Sequence, residues 1–295
     1  MPIKLGLDLP VQKQFSIGLD IPAAAMAAEE IGYDSLWVGE RVLFPVSPVD
    51  DLYGIPGLPW AEHYRSNAEP LIALTLAAAV TERIRLGSNV LVAPLHQPFQ
   101  LARALAALDN ASGGRVIAGL GTGWSRDEYS AAGVTPFGAR GAALNEILDV
   151  CSAVWGPDPV IHDGTLSAIA PSEVGPKPGH PIPVLLAGNT TAAFRRIADR
   201  ADGWIPVATD AEYLARQWKQ LEAVAAERGR LRPISVTLSL PFQGSTEQTV
   251  RAAVQFTQAV PVDELVLALS SSMTTVRQLI ETARTLHTEL RVAGI

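Results

Sequence analysis

The sequence predicts an α/β protein whose parallel strands close into a (β/α)8 barrel, the TIM barrel. Three observations predict this fold class. Short apolar runs alternate with amphipathic helical stretches along the whole chain, and eight of these runs have the length of a strand. The third observation is that 295 residues suffice for one barrel of this kind. An open doubly wound sheet is the alternative that the same alternation allows.

Most of the candidate strands are nearly continuous apolar runs, which is typical of parallel strands covered on both faces. They lie at residues 3–9, 35–39, 84–90, 116–120, 183–187, 203–205, 234–240 and 264–268. The helices are predicted at residues 23–31, 71–80, 101–108, 142–154, 192–198, 211–228, 247–260 and 275–290. We find no internal repeat, low-complexity tract or linker, so one domain spanning residues 1–295 is the simplest account.

The clearest part of the pattern lies between residues 81 and 133. An apolar strand is followed by Pro98, a residue favoured at the start of a helix, and Ser112-Gly113-Gly114 ends that helix. The next strand leads directly into Gly121-Thr122-Gly123-Trp124. Two parallel strands joined by a helix form a βαβ unit, and ligands bind at the carboxyl ends of such strands. The sequence therefore predicts a ligand site at this end of the barrel.

Two insertions interrupt the alternation. Residues 41–67 are rich in proline and aromatic side chains and follow the second predicted strand, which places them at the mouth of the barrel. Residues 156–180 contain several prolines and follow the fourth βα unit. Long insertions in a compact domain are commonly lids or binding loops. An edge or dimer-packing segment is the alternative for each.

The composition limits the class of partner. The net charge is −7, and no local cluster of Lys and Arg offsets it, which argues against nucleic acid as the main partner. The single cysteine, Cys151, excludes an intrachain disulfide and fits a reducing cytoplasm. The apolar stretch 70–80 has only about half the length of a membrane span, and the opening MPIKLGLDLP is predicted to be a strand. We therefore expect a cytoplasmic protein without a membrane partner.

Two glycine-containing turns are candidate binding elements. Gly119, Gly121 and Gly123 leave a strand end without side chains, so backbone N–H groups can approach a phosphate or a ring. Trp124 occupies the place of the third glycine that the dinucleotide-binding fingerprint requires. In the second turn, at residues 187–190, an Asn or Thr caps the next helix and leaves N–H donors free. An ordinary tight turn and an ordinary helix cap are the structural alternatives.

Six motifs carry a family resemblance. They are SLWVGERV (35–42), TERIRLGSNVL (81–91), SGGRVIAGLGTGW (112–124), GVTPFGARG (133–141), PIPVLLAGNT (181–190) and ADGWIP (201–206). In this order they resemble the bacterial luciferase-like flavin and deazaflavin oxidoreductases, and most closely the branch that depends on coenzyme F420. The motifs cover most of residues 1–210. They point to a family and leave the substrate open.

The resemblance implies a cofactor, coenzyme F420 or alternatively FMN, at the mouth of the barrel. It also implies a non-prolyl cis peptide between Asn89 and Val90 that supports the cofactor ring from behind. The cofactor-binding residues implied in this way are Glu40, Ser88, Asn89, Val90, Gly121, Thr122, Gly123, Trp124, Ala187, Gly188, Asn189 and Thr190. The last four are expected to hold the cofactor phosphate.

Candidate catalytic and binding residues lie at the end of the second predicted strand. Family members commonly have an acidic residue followed by a histidine here. Glu40 fits this pattern and is our first candidate for a coenzyme hydrogen bond or a proton transfer, whereas Arg41 departs from it. Arginine stays protonated and cannot act as a general base. Arg41 is instead expected to clamp an anionic substrate or the coenzyme's acidic tail, or to form an ion pair.

Histidines supply the second candidate. His96 follows the third predicted strand, so it lies on the active-site side of a barrel and is our second catalytic candidate. None of the five histidines has the spacing of a metal ligand, and we predict no metal site. The predicted substrate pocket comprises Arg41, Phe44, Trp60 and His63.

Three functions remain open. The first is an F420-dependent oxidoreductase that moves a hydride between the deazaflavin and a small organic substrate. The second is an FMN-dependent monooxygenase that uses oxygen, and the third is a non-catalytic family member that binds a flavin or deazaflavin. The departure at Arg41 favours the third. A homodimer is implied by the resemblance only.

Overall fold

A computed structural model describes residues 2–295, and its parallel strands close into an eight-stranded barrel, which confirms the predicted fold class. The strands are β1 (Lys4–Asp8), β2 (Ser35–Val38), β3 (Arg85–Ser88), β4 (Leu91–Val92), β5 (Val116–Gly121), β6 (Val160–Asp163), β7 (Ala168–Ser172), β8 (Val184–Ala187), β9 (Gly203–Ile205), β10 (Ser235–Pro241) and β11 (Glu264–Ala268). Around the barrel the order is β3-β2-β1-β11-β10-β9-β8-β5, and pairing between β3 and β5 closes it.

Helices follow the strands and cover the outside of the barrel. They are α1 (Ile17–Ile31), α2 (Pro70–Ala79), α3 (Pro98–Ser112), α4 (Arg126–Ala132), α5 (Arg140–Trp155), α6 (Thr191–Arg200), α7 (Ala211–Glu227), α8 (Thr246–Ala259) and α9 (Val276–Val292). Pro98 opens α3, and Gly113, with φ of 74°, ends it in the left-handed conformation that glycine tolerates best. The predicted helices therefore exist, and their ends differ from the predicted ends by a few residues.

The largest difference in a helix boundary concerns α1. The sequence predicted a helix from residue 23, directly after Pro22, but the helix begins at Ile17 and contains Pro22. The missing N–H would have bonded the carbonyl of Gly18, which is exposed and can be solvated. The helix therefore tolerates the proline close to its start.

The third barrel strand is interrupted. One strand was predicted over residues 84–90, but β3 and β4 are separate pieces, and both pair with β5. Between them lies a cis peptide bond that joins Asn89 to Val90. The cis peptide implied by the family resemblance is thus present.

The interior of the barrel is filled by five apolar side chains. They are Trp37, Ile117, Leu185, Ile205 and Val266. A Cβ on Gly6 or Gly87 would lie 2.7 or 2.5 Å from the Trp37 ring, so these glycines provide the room for the indole. Trp37 therefore fills the centre of the barrel and closes it below the mouth.

The two inserted segments differ in how they are attached to the barrel. Residues 41–67 follow β2 and stand at the mouth, and short 3₁₀ turns occur at Leu52–Gly54 and Glu62–Arg65. Residues 156–180 leave the far end of α5, and β6 and β7 form an antiparallel hairpin that runs back along α5. Glu146 of α5 accepts hydrogen bonds from the N–H groups of Leu166 and Ser167 at 2.6 and 3.0 Å. The hairpin is thus attached along α5, and the lid or binding-loop interpretation of this segment stays a prediction.

Within residues 2–295, no helix combines the length and the hydropathy that a membrane crossing needs.

Candidate active site

Glu40 and His96 form a pair at the end of β2. Glu40 is 6% exposed, and its Oε2 accepts a hydrogen bond from the N–H of Val92 at 2.6 Å. Its other oxygen, Oε1, lies 2.9 Å from Nε2 of His96. The structure thus joins both catalytic candidates, because β2 and the end of the third barrel strand are neighbours.

The charge state of His96 follows from this contact. Burial alone would lower the pKa of the imidazole, but the hydrogen bond and the negative charge of Glu40, with Glu69 farther away, outweigh burial. The net result is a pKa above the ordinary value of 6.5. The contact with Glu40 therefore favours the protonated imidazole, which is the form that a general acid requires.

We expect the His96 imidazole to titrate above pH 6.5 and the Glu40→Gln variant to lower that pKa. Because the folded pKa is raised, the stability contributed by the charged pair is present below about pH 6.5 and is lost as the pH rises through the folded pKa. Histidine-detected NMR titration measures both values. His63 is the internal control, since burial lowers its pKa and Glu40 does not contact it. An unchanged His96 pKa in the variant would contradict the assignment.

Arg41 is held in a buried ion pair. Its guanidinium donates to Oε2 of Glu128 at 2.9 Å and to the carbonyl of Glu40 at 2.6 Å. It also lies 5.0 Å from the centre of the Trp124 ring. Burial raises the pKa of Glu128, although the positive charge of Arg41 opposes that shift. Of the roles open to Arg41 from the sequence, the ion pair is the one that the structure contains.

The start of the inserted segment is fastened to the first turn of α4. The N–H of Val42 donates to Oε1 of Glu128 at 2.9 Å, and the N–H of Val49 donates to Asp127 at 2.9 Å. Asp50 accepts from the N–H and the guanidinium of Arg126, both at 2.7 Å. The segment is thus attached across the mouth, from β2 to the element after β5.

Five rings pack together above the ends of β2 and β5, and we call them the aromatic cluster: Phe44, Tyr53, Trp60, Tyr64 and Trp124. The centres of the two indole rings are 4.7 Å apart, and Tyr53 and Phe44 each lie 5.7 Å from an indole. The two tyrosine hydroxyls are hydrogen-bonded at 2.6 Å. The centres of the His63 and Tyr64 rings are 4.2 Å apart, and the two ring planes are tilted by 56°. The predicted pocket residues are thus brought together, and Tyr53 and Tyr64 are members that the sequence analysis did not single out.

The turn after β5 requires its glycines. A Cβ on Gly121 would lie 2.7 Å from a methyl group of Val90, and one on Gly123, where φ is 62°, would lie 2.5 Å from Val92. The carbonyl of Thr122 accepts a hydrogen bond from the hydroxyl of Tyr129 at 2.5 Å. The backbone at Gly121 and Gly123 is therefore closely packed against the third strand, with Thr122 as the side chain between them.

The turn after β8 has the predicted helix cap. Oγ1 of Thr190 accepts from the N–H of Ala193 at 3.2 Å, and Gly188, with φ of 144°, would bring a Cβ within 2.6 Å of Ala193. The first N–H groups of a helix have no partner inside the helix, so the start of α6 offers donors at the mouth. Asn189 donates to the hydroxyl of Tyr213 at 3.0 Å, which fixes its side chain.

Ser88 is the predicted cofactor residue whose side chain the structure directs elsewhere. It is 1% exposed, and its hydroxyl both donates to the carbonyl of Gly119 at 2.8 Å and accepts from the N–H of Gly119 at 3.0 Å. The hydroxyl thus links the third and fourth barrel strands. Among residues 2–295, no three His, Cys, Asp or Glu side chains are grouped as a metal site.

Asp8 is a residue of the mouth that the sequence analysis missed. Strand alternation places it on the inner face with Gly6. It accepts from the N–H groups of Leu269 and Ser270 at 2.8 and 3.1 Å and from the Ser270 hydroxyl. Burial raises its pKa to about 6 despite these bonds. The sequence feature that could have identified Asp8 is its position as a carboxylate near the end of the first predicted strand.

The chain was compared with protein families, with known proteins and with solved structures, and each comparison finds similar proteins. The luciferase-like monooxygenase family matches residues 19–290. An uncharacterised protein of Mycobacterium tuberculosis is 37% identical over 217 residues, which is 72% of this chain and 76% of that protein. The F420-dependent glucose-6-phosphate dehydrogenase of Amycolatopsis mediterranei is 27% identical over 189 residues, 63% of this chain and 52% of that enzyme. The structure of an F420-dependent secondary alcohol dehydrogenase with an F420-acetone adduct superposes with a TM-score of 0.78 at 16% identity, covering 99% of this chain and 100% of that one.

Proposed function

The chain belongs to the luciferase-like monooxygenase family, and from this membership we propose that it is an oxidoreductase that uses coenzyme F420. The proposed reaction moves a hydride between the deazaflavin and a small organic substrate at the mouth of the barrel. The observation that carries the proposal is the Glu40–His96 pair, which Val92 connects to the glycine turn after β5. The named F420-dependent relatives support the choice of coenzyme.

The residues at the mouth fit a flavin-like ring with a phosphate-bearing tail. The turns at Gly121 and Gly123 present backbone without side chains, as a closely approaching ring requires. The start of α6, capped by Thr190, offers N–H donors suited to a phosphate. We assign cofactor contact to Asn89, Val90, Thr122 and Trp124 beside the first turn, and phosphate contact to the turn after β8.

The protein supplies binding, orientation and a proton. Bound coenzyme would donate or accept the hydride. Glu40 raises the pKa of His96 and so favours the protonated imidazole, and His96 can give a proton to a substrate oxygen or take one from it. The segment 41–67, fastened to α4, covers the mouth and excludes water.

Parallel titrations of the purified protein with coenzyme F420 and with FMN test the proposal. We expect micromolar binding of F420 and much weaker binding of FMN. The Gly188→Ala variant is expected to bind F420 at least about tenfold more weakly, because the new Cβ has no room at a φ of 144°. Gly138→Ala is the control, since no atom lies within 4 Å of its added Cβ. Failure to bind F420 would overturn the proposal.

An FMN-dependent monooxygenase is the second candidate, because the family that matches the chain is named for that reaction. Preferential binding of FMN, together with oxygen consumption, would favour it. A non-catalytic binding protein is the third. Tight cofactor binding without hydride transfer to any substrate would favour that function.

We further propose a cytoplasmic homodimer. The outward side of α2 supports the dimer, since Ile72 is 55% exposed and Met26 of the adjacent α1 is 49% exposed. Sedimentation analysis measures the molecular mass in solution, and a monomer at micromolar concentration would contradict this part of the proposal.

A further inference from the structure

The cations of the segment 41–67 and of α4 are already paired. Arg41 meets Glu128 at 2.9 Å, Arg65 meets Glu62 at 2.5 Å, and Arg126 meets Asp50 at 2.7 Å. The pairs differ in burial. The Arg41 and Glu128 side chains are 11% and 1% exposed, whereas those of Arg65 and Glu62 are 46% and 74% exposed.

The buried pair controls the charge that a ligand would meet. Glu128 neutralises Arg41 at short distance and low exposure, where solvent screens the attraction little. The guanidinium also donates to the carbonyl of Glu40, which fixes its orientation. An anion that recruited Arg41 would leave Glu128 buried without its partner, and that exchange is unfavourable. Glu40 and Asp8 add carboxylates to the same end of the barrel.

The surface around Arg41 is aromatic. Its guanidinium lies 5.0 Å from the Trp124 ring and 5.9 Å from the Tyr64 ring, so two members of the aromatic cluster flank it. Aromatic faces and edges bind flat apolar molecules through burial and ring contacts. The cluster therefore offers area for a ring, and it offers no free positive charge for a phosphate or carboxylate.

We propose that the substrate is an uncharged molecule with a flat, apolar part, and that the Arg41–Glu128 pair excludes anionic substrates from the aromatic cluster, away from the phosphate donors at the start of α6. This inference rests on the proposed function and names the substrate class of that site. It separates this chain from its relative that is named for glucose 6-phosphate, a phosphorylated sugar. Phosphorylated sugars are expected not to be substrates here.

Two matched probes test the proposal: 2-naphthamide, which is uncharged, and 2-naphthoate, which has the same ring and a carboxylate. Calorimetry without coenzyme gives both dissociation constants. We expect the wild-type protein to bind the amide at least about tenfold more tightly. Glu128→Gln keeps an oxygen for the N–H of Val42 and removes the charge that neutralises Arg41. Naphthoate should then bind at least about fivefold more tightly, while amide binding changes less than about twofold.

Two further variants complete the design. Glu247→Gln releases the exposed Arg251 of α8 by the same chemical change, away from the aromatic cluster, and should leave both constants as in the wild type. Trp124→Ala, with the fold checked by circular dichroism, should weaken amide binding at least about fivefold.

A wild-type preference for naphthoate, an unaltered preference in Glu128→Gln, or saturable binding of neither probe would overturn the proposal. These results are independent of the coenzyme titration. F420 binding without amide binding would refute the substrate class alone. Amide binding without F420 binding would refute the proposed oxidoreductase and leave an apolar binding site.

Discussion

Replacing Glu40 by glutamine is expected to slow hydride transfer by about 100-fold or more, the lower range for loss of general acid–base assistance. The amide oxygen can still accept the hydrogen bond that the N–H of Val92 donates, so the local fold is kept. The variant lacks the negative charge that holds His96 protonated. Stopped-flow oxidation of reduced F420, with an uncharged carbonyl acceptor such as 2-naphthaldehyde, measures the rate.

Two comparisons make this result specific. Glu82→Gln makes the same chemical change at an exposed residue on the opposite end of the barrel and should leave the rate within about twofold. The double variant Glu40→Gln with His96→Gln should be little slower than either single variant, because residues that act as a unit are not additive. A Glu40→Gln enzyme with a normal rate would assign the carboxylate to structure alone.

Gly119→Ala adds a single methyl group and is expected to lower the free energy of unfolding strongly. A Cβ there would lie 1.7 Å from the carbonyl oxygen of Ser88 and 2.9 Å from Ile205. The nearest obstacle is backbone, so β3 and β5 must separate, and the two hydrogen bonds between Ser88 and Gly119 are weakened. We expect a loss of about 3 kcal/mol or more in the free energy of unfolding. In a domain of this size that loss lowers the melting temperature by about 5 °C or more.

Gly18→Ala is the matched control for that variant. Gly18 lies in α1, and a Cβ there meets no atom within 4 Å. Alanine is the better helix former by about 1 kcal/mol, so the control should be neutral or slightly stabilising. Urea denaturation of both variants measures the difference. Equal stability of the two variants would show that the third and fourth barrel strands can move apart at little cost.

Much of the fold could be predicted because its signals are local. A strand buried on both faces needs an apolar run such as residues 264–268, and a helix end needs a residue such as Gly113 that accepts positive φ. Two predictions of the fold were wrong, the uninterrupted strand over residues 84–90 and the start of α1, and both errors have local causes. The interruption at Asn89 leaves no mark in hydrophobic patterning, and Pro22 lies inside α1, where its missing N–H leaves the carbonyl of the exposed Gly18 without a helix partner.

The site was predictable in part. Position at a strand end and family resemblance selected Glu40, His96 and the glycine turns. The contact between Glu40 and His96 spans 56 positions, and the one between Arg41 and Glu128 spans 87. No periodicity relates residues so far apart. The role of Asp8 was missed for the same reason, since Leu269 and Ser270, which bind its carboxylate, lie at the other end of the chain.

The sequence by itself determined the barrel, the order of its elements and the end at which chemistry belongs, because short-range patterning governs which segments become strands and helices. The tertiary structure decided the direction in which the pKa of His96 shifts, the partner of Arg41 and the attachment of residues 156–180 to α5. These properties depend on burial and on distances between remote residues. Electrostatic energy depends on both, so it is fixed only when the barrel closes.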